Sequence, residues 1–332
     1  MIDYITAKFP FQHNREDIHL FRGKYLTARL KNNSTTIEVK SVGNGRFLVV
    51  SGNPVKYLQG HNIFGSNDLR GLCRDLLVLV SAQLGIKLNY RDQQSINLGD
   101  YSLSRVDLAV NFRLPRCETV SHIVREIEWH WRELGYNVSN YTNETVYRDQ
   151  HSKVEAAKFY NKSKELRAHP LPENILGNYV CNRLRQYAEG LLRAEFTLRS
   201  PALKRLGMAS GSEWTVEKSK SLILEKLASQ SLDFEIKHSV LPEVYNRWEP
   251  ALKQIYCLWL QGNDLHYLFG ERTLYRKYKS LAAFGINILC PPVVKRRPMI
   301  PIRALVNSDN ITWLPRFAKR LGLVHLPPKT NK

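Results

Sequence analysis

The sequence has few of the features that would place this chain in an oxidising compartment or in a membrane. Its five cysteines are scattered over 332 residues and form no Cys-x-x-Cys pair, which argues against a disulfide framework and a paired-cysteine zinc site. The longest apolar run, residues 76–84, is about half of the ~20 residues that a membrane span requires. Lys8 and Pro10 interrupt the first apolar stretch, and no secretory cleavage site follows. These absences predict a cytoplasmic protein with no membrane partner.

Acidic residues are also scarce relative to basic ones. The chain has 30 Asp and Glu against 49 Lys and Arg, a formal net charge of +19 and a pI near 9.7. An excess of this size predicts a polyanionic partner, of which nucleic acid is the commonest. Solubility alone, or an anionic membrane surface, is the alternative explanation. The chain has no Gly-x-x-x-x-Gly-Lys-Ser/Thr loop, so it lacks the usual phosphate cradle of an ATPase.

Strand patterns and helical patterns are distributed unevenly along the chain. Through residue 199, short apolar runs and alternation predict strands interrupted by helices, whereas after Pro201 only helical spacing remains. We therefore predict a domain at 1–205 and a mostly helical, basic domain at 206–332. The predicted strands are 3–9, 25–30, 36–42, 46–50, 55–60, 103–114, 144–148, 154–162 and 191–199. The predicted helices are 67–84, 118–134, 175–189, 212–228, 242–260, 264–284 and 311–321.

Three of these strands, 103–114, 154–162 and 191–199, alternate apolar and polar residues almost without error. Strict alternation is typical of a strand with one buried face and one open face. If the three share an antiparallel sheet with helices on the other face, the fold is an α+β two-layer sandwich. Its open face then carries two carboxylates, a phenol and several cations. These residues are Arg105 and Asp107; Lys158, Tyr160 and Lys162; and Arg193, Glu195 and Arg199.

The two carboxylates indicate a metal site of the kind that assists attack on a phosphodiester. A divalent ion neutralises the anionic oxygens and stabilises the leaving oxygen, and hard oxygen ligands favour Mg²⁺ or Mn²⁺. Asp107 and Glu195 are the predicted ligands, and His61 is a candidate nitrogen ligand. The alternative is that each carboxylate pairs with its neighbouring Arg105 or Arg193, and that His61 is a hydrogen-bonding turn residue.

Tyr160 is the candidate nucleophile. A phenol has a pKa near ~10 and is therefore almost fully protonated at neutral pH. The charge of a metal ion, together with Lys158 and Lys162 on the same face, would favour the phenolate. The alternative is that Tyr160, one of 16 tyrosines, is simply half-buried at a sheet edge.

Basic clusters outside the three strands predict an extended DNA-binding surface. Arg276 and Lys277 lie beside tyrosines that offer stacking surfaces, and residues 295–297 form a run of three cations. A single cluster of this kind is most often a solvated face, so the prediction depends on their number. The predicted DNA-binding residues are Arg105, Arg193, Arg199, Arg276, Lys277, Lys295, Arg296 and Arg297.

Several segments resemble one family, the gene II replication initiators of filamentous phages and related phage and plasmid proteins. The most specific is LQGHNIFG at 58–65. The Arg-Val-Asp, Phe-Tyr-Asn-Lys and Arg-x-Glu strands also resemble rolling-circle plasmid initiators, which use a sheet-based nicking domain, a divalent metal and a tyrosine. The matching segments, in order, are 1–3, 10–11, 56–69, 104–107, 157–166 and 190–207.

This resemblance implies an enzyme that nicks one strand of supercoiled origin DNA and leaves a 3′-hydroxyl for a host polymerase. The displaced single strand, unwound by a host helicase, is later rejoined into a circle. By position, Tyr160 matches the plasmid nucleophile, and Asp107 and Glu195 match acidic positions of its metal site. The chain has no His-x-His motif, so the resemblance implies an HUH-like nicking domain without that metal clamp.

Two other functions remain open from the sequence. One is a DNA-binding initiator or repressor that has no catalytic activity. The other is a hydrolytic nuclease that uses metal-bound water instead of Tyr160. RNA binding is less favoured, because the aromatic strand motifs typical of that function are absent.

Overall fold

The structure, a computed structural model, describes residues 1–18, 21–22, 25–32, 35–114, 120–142, 144–233, 245, 247–284, 286–289, 302–312 and 314–326. Ten strands lie within these ranges. They are β1 (Ile2–Pro10), β2 (Phe21–Arg22), β3 (Tyr25–Asn32), β4 (Thr35–Val42), β5 (Phe47–Gly52), β6 (Ser102–Arg113), β7 (Val138–Tyr141), β8 (Thr145–Arg148), β9 (Glu155–Asn161) and β10 (Leu191–Arg199).

The strands form one sheet in the order β2-β3-β4-β5-β1-β6-β10-β9-β8-β7. Every neighbouring pair in this order is antiparallel. The predicted α+β class with an antiparallel sheet is therefore confirmed. The first strand lies in the middle of the sheet, between β5 and β6.

The α-helices of the described ranges are distributed over the whole chain, and none of them is long and apolar enough to cross a membrane. They are α1 (Pro54–Gln59), α2 (Leu69–Gln83), α3 (Tyr90–Leu98), α4 (Val120–Glu133), α5 (Lys162–Ala168), α6 (Glu173–Leu176), α7 (Asn178–Ala188), α8 (Ser200–Arg205), α9 (Val216–Ala228), α10 (Pro250–Leu260), α11 (Leu265–Leu268), α12 (Glu271–Ala282), α13 (Ile302–Leu305) and α14 (Arg316–Arg320).

The prediction of a strand at 55–60 is wrong, because this segment forms α1. The Asn53 side chain accepts a hydrogen bond from the Lys56 amide at 2.7 Å, and Pro54 occupies the first turn. Both are signals for the start of a helix. Gly60 ends the helix in the left-handed conformation, with a φ of 85°. These local signals outweigh the apolar run that suggested a strand.

Two elements are not visible in the sequence pattern. Helix α3 is mostly polar and buries only Ile96, so it has no apolar stripe. Strand β7 is four residues long and lies at the sheet edge. In the second half, the helix predicted at 264–284 is divided at Gly270 into α11 and α12, and the first residues of the helix predicted at 242–260 lie outside the described residues.

The three alternating strands are neighbours, in the order β6-β10-β9. In the register, Asp107 pairs with Thr197, Glu195 with Lys158, and Arg193 with Tyr160. The predicted polar residues therefore share one face of the sheet.

The apolar face of these strands packs against helices. Leu108, Phe112, Phe159 and Phe196 are almost fully buried, and the Trp131 ring of α4 lies 5.5 Å from the Phe159 ring. Burying one such side chain contributes about 1.5–3 kcal/mol. This packing fixes the strands that carry the polar face.

The hydrophobic clusters do not divide at the predicted boundary near residue 205. Ile223 of α9, Ile302 of α13 and Ile311 belong to the same cluster as the sheet. Ala318 and Leu323 join a second cluster, which packs where β10 begins. A third, separate cluster lies within residues 248–289. The core of the sheet therefore includes residues far beyond 205.

We expect Ile302→Ala to destabilise the sheet itself. The side chain is fully buried in the cluster of the sheet, and such a truncation typically costs about 2–5 kcal/mol. Hydrogen exchange of the β6 amides measures the effect, with Leu326→Ala, at a position 58% exposed, as the control. Unchanged protection of β6 in Ile302→Ala would show that residues after 205 form an independent unit.

Candidate active site on the polar face of the sheet

A cleft of about 340 Å³ lies on the polar face, over β6, β10, β9 and β8. We call it the polar cleft. It contains both predicted carboxylates and several of the predicted cations, together with a tyrosine that the sequence did not single out. The residues that define it are Arg105, Asp107, Tyr147, Lys158, Glu195, Thr197 and Arg199.

Glu195 is the most heavily bonded residue of the cleft. Its Oε1 accepts hydrogen bonds from the Tyr160 hydroxyl at 2.7 Å and from Arg193 Nε at 2.9 Å, and Lys158 Nζ lies 3.3 Å from Oε2. Burial would raise the pKa of Glu195, but Lys158, Arg193 and the Tyr160 hydrogen bond together hold it well below its usual range. Glu195 is thus a carboxylate that positions the candidate nucleophile.

Tyr160 lies beneath the floor of the cleft, where its side chain is 2% exposed. Burial, followed by the negative charge of Glu195, raises its pKa well above the ordinary value. The prediction that Lys158 and Lys162 favour the phenolate is therefore corrected: the raised pKa keeps Tyr160 protonated. Lys158 Nζ does lie 3.9 Å from the centre of the Tyr160 ring, but its charge does not outweigh burial.

Lys162 is not among the residues that line the polar cleft. Its side chain is fully buried, and Nζ contacts Glu165 at 2.7 Å and the Asn62 side chain at 2.9 Å. Burial lowers the pKa of Lys162. Lys162 Nζ does lie 5.9 Å from the centre of the Tyr160 ring, but the prediction that it shares an open face is corrected, because Lys162 is the first residue of α5 and is covered there.

Arg193 is also fully buried, so the prediction that it contacts DNA is corrected. Its Nη2 donates to Asp3 at 2.7 Å, and its Nη1 donates to the Asn62 carbonyl at 2.8 Å. With its bond to Glu195, the guanidinium connects β10, β1 and the 58–65 segment. Asp3 and Asn62 were not found from the sequence, although both lie in segments that resemble the family.

His61 lies away from the polar cleft. Its Nε2 donates to the Leu323 carbonyl at 2.9 Å, because a carbonyl can only accept, and its Nδ1 then faces the Ile63 amide at 3.4 Å. Burial lowers the pKa of His61 to about 4. Both ring nitrogens are therefore engaged in the protein, and the proposed metal-ligand role of His61 is corrected to that of a buried turn residue.

Asp107 is paired with Arg105, which is the arrangement that the sequence analysis gave as the alternative to metal binding. Arg105 Nε and Nη2 lie 2.9 and 2.6 Å from the two carboxylate oxygens. Burial raises the pKa of Asp107 despite this pairing. Arg105 is partly exposed and also covers the Tyr4 ring at 4.4 Å.

The predicted three-ligand metal site is not formed. Within the described ranges, no group of three His, Cys, Asp or Glu residues is placed to hold a metal ion. Asp107 and Glu195 nevertheless line the same cleft, and Mg²⁺ is commonly held by one or two carboxylates together with substrate phosphates. The donor set fits such a two-carboxylate site, provided that Arg105 and Lys158 release the carboxylates.

Arg199 carries an unsatisfied donor beside the cleft. Its Nη1 is buried and has no hydrogen-bond partner among the described residues, whereas Nη2 lies 3.5 Å from the Gln150 carbonyl. A buried donor without an acceptor costs about 1–3 kcal/mol. An anionic oxygen bound in the cleft would satisfy it.

The basic residues of the helical region divide into two groups. Arg276 is exposed, whereas Lys277 is largely buried and paired with Glu249. The prediction that Lys277 contacts DNA is therefore corrected. Lys295, Arg296 and Arg297 lie outside the described residues.

The comparisons with known proteins identify the class. Residues 1–217 match the family of the N-terminal part of the phage replication-associated protein of the gene II type. The match covers well over half of the chain, so the chain belongs to this family. The resemblance to gene II-type initiators predicted from the sequence is confirmed.

Among particular proteins, the chain is 27% identical over 313 residues to the gene II-type replication-associated protein of Enterobacteria phage I2-2. This alignment covers 87% of this chain and 88% of the phage protein. Among solved structures, a rolling circle replication initiator protein from Geobacillus stearothermophilus is similar at a TM-score of 0.32 and 11% identity. That match covers 75% of this chain and 90% of the other.

We expect His61→Gln to weaken the acid sensitivity of the fold. The folded pKa of about 4 lies below the ordinary 6.5, so between these values protons bind the unfolded chain preferentially. The free energy of unfolding should therefore decrease as the pH falls from 6.5 to 4. Protonation of His61 alone should account for about 3 kcal/mol of this decrease. Urea unfolding at several pH values should show a smaller fall in His61→Gln. The exposed-site variant His169→Gln should behave as wild type, and an equal fall in all three proteins would contradict the assignment.

Proposed function

We propose that this protein is a rolling-circle replication initiator that nicks one strand of phage or plasmid origin DNA with Tyr160 and later rejoins it. The observation that carries the proposal is the 2.7 Å hydrogen bond from the Tyr160 hydroxyl to Glu195 at the floor of a cleft lined by cations. Membership of the gene II-type replication protein family and the net charge of +19 support a DNA substrate. The enzyme class is a DNA endonuclease and strand transferase.

The proposed chemistry uses the geometry around Glu195. The Tyr160 oxygen forms a bond to phosphorus while its proton passes to the Glu195 carboxylate, and the bond from phosphorus to the 3′ oxygen breaks. Lys158, 3.3 Å from Glu195, supplies the proton to the leaving 3′ oxygen. The products are a free 3′-hydroxyl and a 5′-phosphotyrosine. Attack by a second 3′-hydroxyl reverses these steps and rejoins the strand without a nucleotide cofactor.

Cations at the rim of the cleft suit the phosphate. Arg199 brings the unsatisfied Nη1 donor, and Arg105 has a side chain 37% exposed. Charge-assisted bonds from guanidinium groups to phosphate are among the stronger hydrogen bonds in proteins. We infer that these two residues hold the scissile phosphate or one of its neighbours.

Catalysis requires a rearrangement, since Tyr160 is buried and Glu195 is surrounded by donors. A bound phosphate competes with Glu195 for Lys158 and with Asp107 for Arg105. We infer that this competition frees the carboxylates and opens the path to Tyr160. In the protein without DNA, the raised pKa of Tyr160 keeps the phenol protonated.

A divalent ion, Mg²⁺ or Mn²⁺, would be held by Asp107 and Glu195 in this proposal. It would neutralise charge on the phosphate oxygens. The cations now paired with the two carboxylates imply that the ion binds together with DNA.

The proposed biological setting follows from the family. Supercoiled duplex and single-stranded origin DNA are the proposed substrates, and a host helicase and polymerase are the proposed partners. The proposed location is the cytoplasm of the bacterial host cell. A non-catalytic origin-binding protein and a nuclease that uses metal-bound water are the competing functions.

Tyr160→Phe should abolish both nicking and the covalent adduct, because it removes only the attacking oxygen. The assay incubates labelled origin oligonucleotide with the protein and Mg²⁺, and then measures a denaturation-resistant adduct. Tyr147→Phe is the matched control, since Tyr147 lies in the same cleft opposite Lys158. It should retain the adduct.

The other outcomes separate the competing functions. Nicking that survives in Tyr160→Phe would favour metal-bound water as the nucleophile. Loss of the adduct in Tyr147→Phe alone would show that the chemistry belongs to Tyr147 and not to Tyr160. A wild-type protein that binds the origin without cleaving it would leave only the non-catalytic function.

We expect Mn²⁺ to bind at least tenfold more tightly when origin oligonucleotide is present, because phosphate draws Arg105 and Lys158 from the carboxylates; a tenfold gain corresponds to about 1.4 kcal/mol. Electron paramagnetic resonance of free Mn²⁺ measures this directly. Asp107→Asn should lose the gain, whereas Asp309→Asn, at an exposed site outside the cleft, should keep it. A chelator should stop nicking, and Mg²⁺ or Mn²⁺ should restore it. Equal Mn²⁺ affinity with and without DNA would contradict the proposed exchange of partners.

A further inference from the structure

Two tyrosines of the helical region project into solvent. Tyr267 of α11 is 90% exposed and Tyr275 of α12 is 54% exposed. Neither is needed for the local core, which is built from other residues such as Leu252, Leu265 and Leu274. Large exposed aromatic side chains of this kind are typical of binding surfaces.

Cations accompany the exposed rings. Arg272, Arg276 and Lys279 are all exposed on α12, at spacings of four and three residues that place them along one side of a helix. Lys279 Nζ lies 5.2 Å from the centre of the Tyr275 ring. Helices α11 and α12 contact each other, and we call Tyr267 of α11 together with Arg272, Tyr275, Arg276 and Lys279 of α12 the stacking face.

Acidic residues are few near this face. Asp264 caps the start of α11 through the His266 amide, at 3.0 Å, and Glu271 lies in the first turn of α12. Glu249 also interacts with Arg276, but it is already paired with Lys277, so that four cations of α12 stand against three carboxylates. The local charge favours an anionic partner.

The orientation of α12 is fixed by its other side. Leu274 and Leu281 are buried in the third cluster, and Lys277 is paired with Glu249. Burial of these residues turns Tyr275 and Arg276 outward. The side of α12 that carries Tyr275 and Arg276 is therefore held in place by the packing of its opposite side.

We propose that the stacking face binds single-stranded DNA, with bases stacked on Tyr267 and Tyr275 and with phosphates contacted by Arg272, Arg276 and Lys279. Exposed aromatic rings favour single strands over duplex, because only unpaired bases can offer a free π face. The proposal deepens the proposed function, since nicking and displacement produce such a strand. It identifies a site separate from the polar cleft, with a sequence-tolerant ligand.

The test measures the affinity of the full chain for labelled oligothymidylate of about 20 nucleotides, longer than a typical stacking site. The double variant Tyr267→Ala/Tyr275→Ala should lose about tenfold or more in affinity, since base stacking on an aromatic ring contributes about 1–3 kcal/mol per base. Tyr267→Trp/Tyr275→Trp should restore binding. The matched control is Tyr90→Ala/Tyr179→Ala, which removes tyrosines 75% and 68% exposed elsewhere and should bind as wild type.

The salt dependence of the affinity tests the phosphate contacts of the cations separately from base stacking. Arg276→Gln should lower the slope of log affinity against log salt by about one phosphate contact. An unchanged oligothymidylate affinity in the double alanine variant, or an equal loss in the control variant, would overturn the proposal. An equal loss of affinity for oligothymidylate and for non-origin duplex would also overturn it, because stacking requires unpaired bases.

Failure of this proposal is distinguishable from failure of the proposed function. The double alanine variant should still form the Tyr160 adduct with a short origin oligonucleotide, because the polar cleft is intact. If wild type forms no adduct yet the variant loses oligothymidylate affinity, the stacking face stands and the nicking function fails. If wild type forms the adduct but the variant keeps its oligothymidylate affinity, the nicking function stands and the stacking face fails.

Discussion

The buried guanidinium of Arg193 is the interaction on which the site depends. Its donors reach Asp3 on β1, the Asn62 carbonyl in the 58–65 segment and Glu195 on its own strand. Removing one partner of a buried ion pair is strongly destabilising, because the remaining charge is left uncompensated. The position of Glu195, and through it that of Tyr160, is therefore tied to the first strand and to the 58–65 segment.

Both carboxylates of the polar cleft are paired with cations, while Arg199 keeps a donor that is unpaired among the described residues. Arg105 neutralises Asp107, while Lys158 and Arg193 neutralise Glu195. Burial and the charge of Glu195 raise the pKa of Tyr160, so that the phenol beside this carboxylate is protonated. In our proposal, DNA supplies the phosphate that changes these pairings, so the chemistry is restricted to the bound substrate.

Period-two alternation predicts which side chains share a face, and it correctly groups Asp107, Lys158 and Glu195 on β6, β9 and β10. It cannot predict how deeply each position along a face is covered. Arg193 and Lys162 are buried because the 58–65 segment lies over them, and Asp3 is 190 residues from Arg193. The His61 partner, Leu323, is 262 residues away. Local patterns contain no information on contacts at these separations, and a propensity pattern likewise missed the capped helix α1.

The strand order has a consequence for how this protein folds. Strand β1 pairs on one side with β6, roughly a hundred residues later in the chain, and the other edge of β6 pairs with β10, which is more distant still. Ile311 and Thr312, which lie much further along the chain, bond to the backbone at the end of β6. Topologies dominated by such distant pairings fold slowly. Tyr160 and Glu195, the proposed nucleophile and its carboxylate, therefore come together only when β9 has paired with β10, a strand that itself completes the long-range pairing of β1 and β6.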